Sequence, residues 1–166
     1  MLGVPFERRG ARTSESIRLY KALWTEENPS FHGEFWQIEE VGFAPKPLQK
    51  PHPPIWVGGH SETALRRAGR LGDAWHAAYL GPDQLSALYP KVQRYAEEAG
   101  RDPASVALTL RTRPPLDDPP RAIELFRAVL DLGTTHVVLE IFTLTLEQAQ
   151  QLMETFSREV RPRVLG

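Results

Sequence analysis

The chain contains no cysteine. Disulfides, thiolate metal sites and cysteine nucleophiles are therefore excluded. It also lacks any run of about 20 apolar residues, so no stretch reads as a membrane-spanning helix. Its first residues do not follow a signal-peptide pattern. Acids and bases are interspersed and sum to a net charge of −1, so no basic patch argues for nucleic acid or an anionic membrane. No HxxxH, HxH or carboxylate–histidine spacing suggests a metal. A Gly-x-Ser-x-Gly elbow and a Walker loop are missing as well, and no self-sufficient catalytic set stands out. A soluble, cytoplasmic protein is the expectation that remains.

What is present points to one domain over residues 1–166, long enough to bury a real core. The 15 prolines gather at 45–54 and 114–120, where they punctuate elements instead of forming a low-complexity tract.

The stretch Pro53-Pro54-Ile55-Trp56-Val57-Gly58-Gly59-His60-Ser61-Glu62-Thr63 organises the chain. Ile55, Trp56 and Val57 form an unbroken apolar β-run, as in a parallel strand covered on both faces. Gly58-Gly59 permits a sharp turn and a close backbone approach. Ser61 is placed to cap a helix whose free N–H groups suit an anion such as a phosphate. An ordinary βα turn with nothing bound has the same appearance.

Thr13 or Ser14 is expected to cap a helix through Trp24. Residues 31–38, FHGEFWQI, suggest a hairpin turning near Gly33. Further βα units follow, with strands near 54–58, 74–79, 106–112 and 136–141. Gly72, Gly100 and Gly133 are the expected helix stops, and Thr145 is expected to cap the last helix. Four successive βα units give a parallel sheet flanked by helices. They suit half of an eight-stranded barrel or a small doubly wound sheet.

The wording of the chain narrows this. GVPFERRGARTSE, an ALW helix, FHGEFW, VGFAPKPLQKPHPPIWVGG and ALRRAGRLGDAWH together resemble the bacterial luciferase-like monooxygenase family. The subgroup using coenzyme F-420 or FMN is the nearest likeness. The resemblance runs from residue 3 to about Trp75 and returns at LDLGTTHVVLEI and EQAQQLMETFSREVRPRV. It implies the C-terminal half, strands five to eight, of a (β/α)8 TIM barrel with a β-hairpin excursion. In such barrels the site lies at the C-terminal mouth of the strands. Met1 falls where the family would be leaving its fourth unit.

Carried over residue by residue, the resemblance makes Gly58, Gly59, His60, Ser61 and Thr63 contacts of the cofactor phosphate and ribityl chain. It sets Trp75 beside the cofactor. His60 and His76 are candidates for a catalytic role, and Arg113 for an anionic substrate group. Arg18, Arg66 and Arg67 read as solvated helix faces. Glu140, if inward, needs a partner such as Arg111. The implied activity is that of a flavin- or deazaflavin-dependent oxidoreductase, with this chain contributing the phosphate side. The alternative is a truncated, non-catalytic half-barrel or binding module. Unpaired sheet edges and an uncovered apolar face lead us to expect a homo-oligomer, or a partner supplying the missing half.

Overall fold

A computed structural model describes residues 5–143 and 145–166; residues 1–4 of the opening segment lie outside them. The first helix, α1, spans Arg9–Thr25 and begins earlier than the expected caps. The Thr13 hydroxyl donates to the Arg9 carbonyl at 2.8 Å and the Ser14 hydroxyl to that of Gly10 at 3.0 Å. Both hydroxyls bond back into the preceding turn instead of capping a new one.

The expected hairpin forms from β1 (Phe31–His32) and β2 (Gln37–Ile38), paired antiparallel. Two-residue strands cannot hold a ribbon together on their own. The tie is Glu15 of α1, a buried carboxylate that accepts from the N–H groups of Glu34, Phe35 and Trp36 at 2.9, 2.7 and 2.9 Å. Burial pushes its carboxyl up, but those three donors and Arg18 prevail and hold it below the usual range.

The βα units come next: β3 (Trp56–Gly58), α2 (Glu62–Leu71), β4 (Ala74–Ala78), α3 (Pro82–Glu97), β5 (Ala107–Thr112), α4 (Pro119–Asp131) and β6 (Thr134–Leu139). The chain closes with α5 (Leu146–Thr155), a wide turn over Phe156–Val160, and α6 (Arg161–Leu165). The four long-range strands are parallel and lie in the order β3-β4-β5-β6. Chain order and spatial order therefore coincide, with no reversal between halves. Gly100 and Gly133 stop their helices at φ +71° and +82°, as expected, whereas Gly72 is extended at φ −83°.

Side-chain alternation divides the sheet into two unlike faces. Val57, Trp75, Ala77, Leu108 and Leu110 point to one side and are buried against Leu65, Ala68, Leu85, Val92 and Val129 of α2, α3 and α4. A second cluster joins Ile123 and Phe126 of α4 to Val160, with Leu139 and Phe156 against it. The other face carries Trp56, His76, Thr109, His136 and Val138, and both Trp56 and Val138 are 41% exposed. The expectation that the Trp56 strand is covered on both faces thus fails: among the described residues, helices cover only one. In a flat sheet β3 and β6 would lie roughly 14 Å apart. Trp56 and His136 nevertheless bring their rings to 5.4 Å, a contact that belongs to the concave side of a curled sheet.

Glu15→Gln should lower the thermal unfolding midpoint, followed by circular dichroism, by more than Glu27→Gln at an exposed position of the following loop. Equal midpoints would mean that the carboxylate does not anchor the hairpin.

Candidate functional site

The strands are parallel, so their C-terminal ends gather at one rim, where Gly58, Gly59, His60, Ser61 and Thr63 follow β3 and Arg113 follows β5. At the end of β3 the chain turns through Gly58 and Gly59. Gly59 has φ +107°, and a Cβ at that position would lie 2.8 Å from the Ala64 Cβ. Both the backbone angle and the lack of space require glycine here. Ser61 then caps α2 as expected, its Oγ accepting from the Ala64 N–H at 3.4 Å. The Ser61 and Thr63 hydroxyls stand side by side at 3.1 Å. Helical bonding leaves the N–H groups of Glu62 and Thr63 unused, at the positive end of the helix dipole. The Glu62 carboxylate, which would oppose an anion, is engaged by the Tyr95 hydroxyl and lies 3.9 Å from Lys91 Nζ.

Trp75 corrects the expectation placed on it. Its side chain is fully buried on the helix-covered face and presents no ring to the rim. Its indole N–H instead donates to the Gly59 carbonyl at 3.0 Å. Across a planar trans peptide the His60 N–H points opposite to that carbonyl. Trp75 thereby orients the turn from behind, as a positioning residue. The aromatic that does face the open side is Trp56, whose ring lies 5.3 Å from that of His76. Trp56 is two residues before Gly58 and so shares its face, whereas Trp75 pairs in register with Val57 on the opposite face.

His60 closes the turn onto the next strand, its Nε2 accepting from the Ala78 N–H at 3.3 Å. The proton of the neutral ring therefore sits on Nδ1, available as a donor at the rim. His76 lies deeper on the open face. Its Nδ1 is 2.8 Å from the Thr109 hydroxyl, which in turn donates to the Trp75 carbonyl at 3.3 Å. Thr109 has one hydrogen to give, so it accepts from His76 Nδ1–H and leaves Nε2 as an open acceptor. Burial and nearby Arg111 hold the His76 pKa below its ordinary value and so favour the neutral ring.

A polar cluster occupies the far side of the rim. Glu140, just past β6, accepts from Arg111 Nε at 2.9 Å and from Arg113 at 2.7 Å, and also from the Tyr79 hydroxyl. The expected Arg111 partnership is present, with Arg113 and Tyr79 added. Tyr79 holds φ +58°, an unusual backbone angle for a bulky residue. Arg113 lies over the rings of both Tyr79 and Phe142, at 5.1 and 5.2 Å. Its hydrogen bond and then that of Tyr79 draw the Glu140 carboxyl down to about 2 against the opposing effect of burial, and the charges of Arg111 and Arg113 add smaller pulls in the same direction. Two guanidiniums on one carboxylate leave a surplus positive charge facing solvent. Among the described residues no group of three or more metal-ligating side chains occurs, and no helix is long and apolar enough to cross a membrane.

Fold and rim together define a βα protein with an anion-ready turn at the C-terminal ends of its strands. The chain belongs to the luciferase-like monooxygenase family, whose model matches residues 1–163. It is 44% identical over 70 residues to an FMNH(2)-dependent dimethylsulfone monooxygenase of Pseudomonas putida, a match covering 42% of this chain and 19% of that protein. It is 31% identical over 140 residues to an F420-dependent glucose-6-phosphate dehydrogenase of Kineococcus radiotolerans, covering 81% of this chain and 41% of that one. An uncharacterized protein of Mycobacterium tuberculosis is 44% identical over 101 residues, with 34% of its length covered. The chain thus spans well under half the length of these relatives. Among solved structures, an F420-dependent secondary alcohol dehydrogenase superposes with a TM-score of 0.81 at 17% identity, over 98% of this chain and 64% of the other. The coenzyme F420 dependent tetrahydromethanopterin reductase of Methanopyrus kandleri gives 0.71 at 14%, over 91% and 63%. These likenesses establish the fold.

Trp75→Phe should cost about 1 kcal/mol in urea unfolding, the scale of one lost hydrogen bond to a carbonyl; an unchanged midpoint would show that the turn is not held from behind. For Glu140 the folded pKa is depressed, so its stabilising contribution is complete above the ordinary 4.5 and fades as the pH falls toward about 2. Glu140→Gln should accordingly flatten the loss of stability across that acid window. Parallel wild-type and variant curves would contradict the assignment.

Proposed function

We propose that this chain supplies the phosphate-holding side of a flavin or deazaflavin site, in an oxidoreductase of the luciferase-like type using coenzyme F-420 or FMN. The observation that carries the reading is the turn itself. A left-handed glycine, two adjacent hydroxyls, unused helix N–H groups and a diverted carboxylate make a neutral cradle for a dianion. These residues fit the cofactor. Gly58 and Gly59 give backbone access, Ser61 and Thr63 give hydroxyl donors, and His60 gives Nδ1–H. When bound, the ring system supplies hydride transfer or, with reduced FMN, reaction with oxygen on a small organic substrate.

On the open face, His76 Nε2 is available to take up a proton, and Trp56 offers an apolar wall. Arg113, with Arg111, offers a positive group for the anionic part of a substrate. Trp75 acts only through the turn. In this reading the sheet is strands five to eight of a (β/α)8 barrel, since sequential parallel strands curling about one face are what that half contains. Remaining units, from a second copy or a partner, would cover the face bearing Trp56 and Val138. A second reading, a binding module without catalysis of its own, is favoured by the open sheet face on which Trp56 and Val138 are 41% exposed.

Titration of the chain with FMN and with coenzyme F-420, with mass measured by light scattering, separates the two. Binding by a self-associated species that is lost in Gly59→Ala and weakened in Ser61→Ala/Thr63→Val supports the site. A monomer that binds neither cofactor supports the module.

A further inference from the structure

A groove of about 1040 Å³ runs between α1 and α2, away from the open face of the sheet. Ser61 and Thr63 stand among its lining residues, and the α2 wall continues through Arg66 and Arg67 to Arg70 in the last turn of that helix. Arg18 lines it from the opposite wall, at four-residue spacing with Gly10 and Ser14 on α1, and Arg9 borders it there with its guanidinium over the Phe6 ring at 3.7 Å. None of these five arginines has a carboxylate within 4.0 Å among the described residues. Arg67 is partly buried, and its bonds go to neutral partners, the Ser14 hydroxyl at 3.0 Å and the Gly10 carbonyl at 3.1 Å. Arg8 also borders the groove but is paired with Glu34, and Glu7 is the only acid among the lining residues. The chain as a whole carries a net charge of −1, so this is a local concentration of positive charge and not a property of the whole surface.

Guanidiniums gathered along one groove with no carboxylate in ion-pair contact suit a multivalent anion, which can accept their hydrogen bonds. The groove is elongated, with charge spread along the ten residues of α2, about 15 Å of helix. A single phosphate at one end would leave most of it unused. We propose that the groove is an anion track, taking a linear chain of carboxylates or phosphates that continues from a phosphate seated at Ser61 and Thr63. The proposal deepens the cofactor reading and rests on it for the anchoring phosphate. FMN ends at its phosphate, whereas coenzyme F-420 continues past its phosphate into glutamyl carboxylates, so the track favours the deazaflavin. A free polyanion presents the same chemistry.

The test measures binding of coenzyme F-420, FMN and inorganic tripolyphosphate to the chain and to an Arg66→Gln/Arg70→Gln variant, over a series of salt concentrations. Circular dichroism confirms that the variant is folded; both arginines are exposed, so the core is not disturbed. F-420 binding should weaken roughly tenfold in the variant, the scale of two solvent-exposed charged contacts. It should also fall steeply with salt, while FMN binding changes little. Tripolyphosphate should compete with F-420 in the wild type and lose that ability in the variant. Equal F-420 affinity in the two proteins, or equal losses for F-420 and FMN, would overturn the track and leave the cofactor site standing. Arginine-dependent tripolyphosphate binding with no binding of either cofactor would keep the groove as a site for a free polyanion and remove the cofactor reading. Absence of all binding would remove both.

Discussion

The hydrogen bond from the Trp75 indole to the Gly59 carbonyl joins the core of this protein to the turn at its rim. One partner belongs to the core, packed among aliphatic side chains; the other belongs to the most conformationally demanding peptide of the rim. A diglycine turn left to itself samples many angles, since glycine loses more freedom on ordering than any other residue. Anchoring its carbonyl to a buried ring transfers the rigidity of the interior to donors that face outward. The turn, the cap at Ser61 and the N–H groups of α2 then keep a common orientation.

That arrangement depends on the strict alternation of the strands. Apart from an irregularity in β6 near Thr135, every second residue goes into the helix-covered layer, which is apolar. The intervening residues make a second surface of aromatic rings, imidazoles, threonine and arginine. Such a surface is too polar for an ordinary core and too apolar to be left wholly in water. Polar groups on it are ordered by one another: Thr109 settles the tautomer of His76, and Glu140 gathers Arg111, Arg113 and Tyr79. The half-open state of the sheet and the preorganised side chains on it are two aspects of one design.

Much of the architecture could be read from the residues. The hairpin at Gly33, the caps at Ser61 and Thr145, the stops at Gly100 and Gly133 and the four strands follow from local propensity and punctuation, and those are short-range properties. The start of α1 was misjudged because Thr13 and Ser14 have two uses for a hydroxyl, capping or back-bonding, and only the neighbouring chain decides between them. The burial of Trp75 and the exposure of Trp56 were not foreseen because composition marks a tryptophan as apolar without giving its side of the strand; register supplies that. The bonds of Glu15, and the addition of Arg113 and Tyr79 to the expected Glu140–Arg111 pair, were invisible for a related reason. Their partners lie 19 to 21 and 27 to 61 residues away, and no periodicity reaches so far. The arginines of α1 and α2 looked like ordinary solvated faces until the packing of the helices aligned them.

The ribbon formed by β1 and β2 has no hydrophobic reason to persist by itself, because it owes its turn to a carboxylate on a helix formed much earlier in the chain. Its order is thus borrowed. A protease that cuts only flexible backbone would find residues 33–36 resistant while α1 is seated and vulnerable once it lifts away. This makes the ribbon a natural gauge of whether the helix wall of the arginine groove is in place.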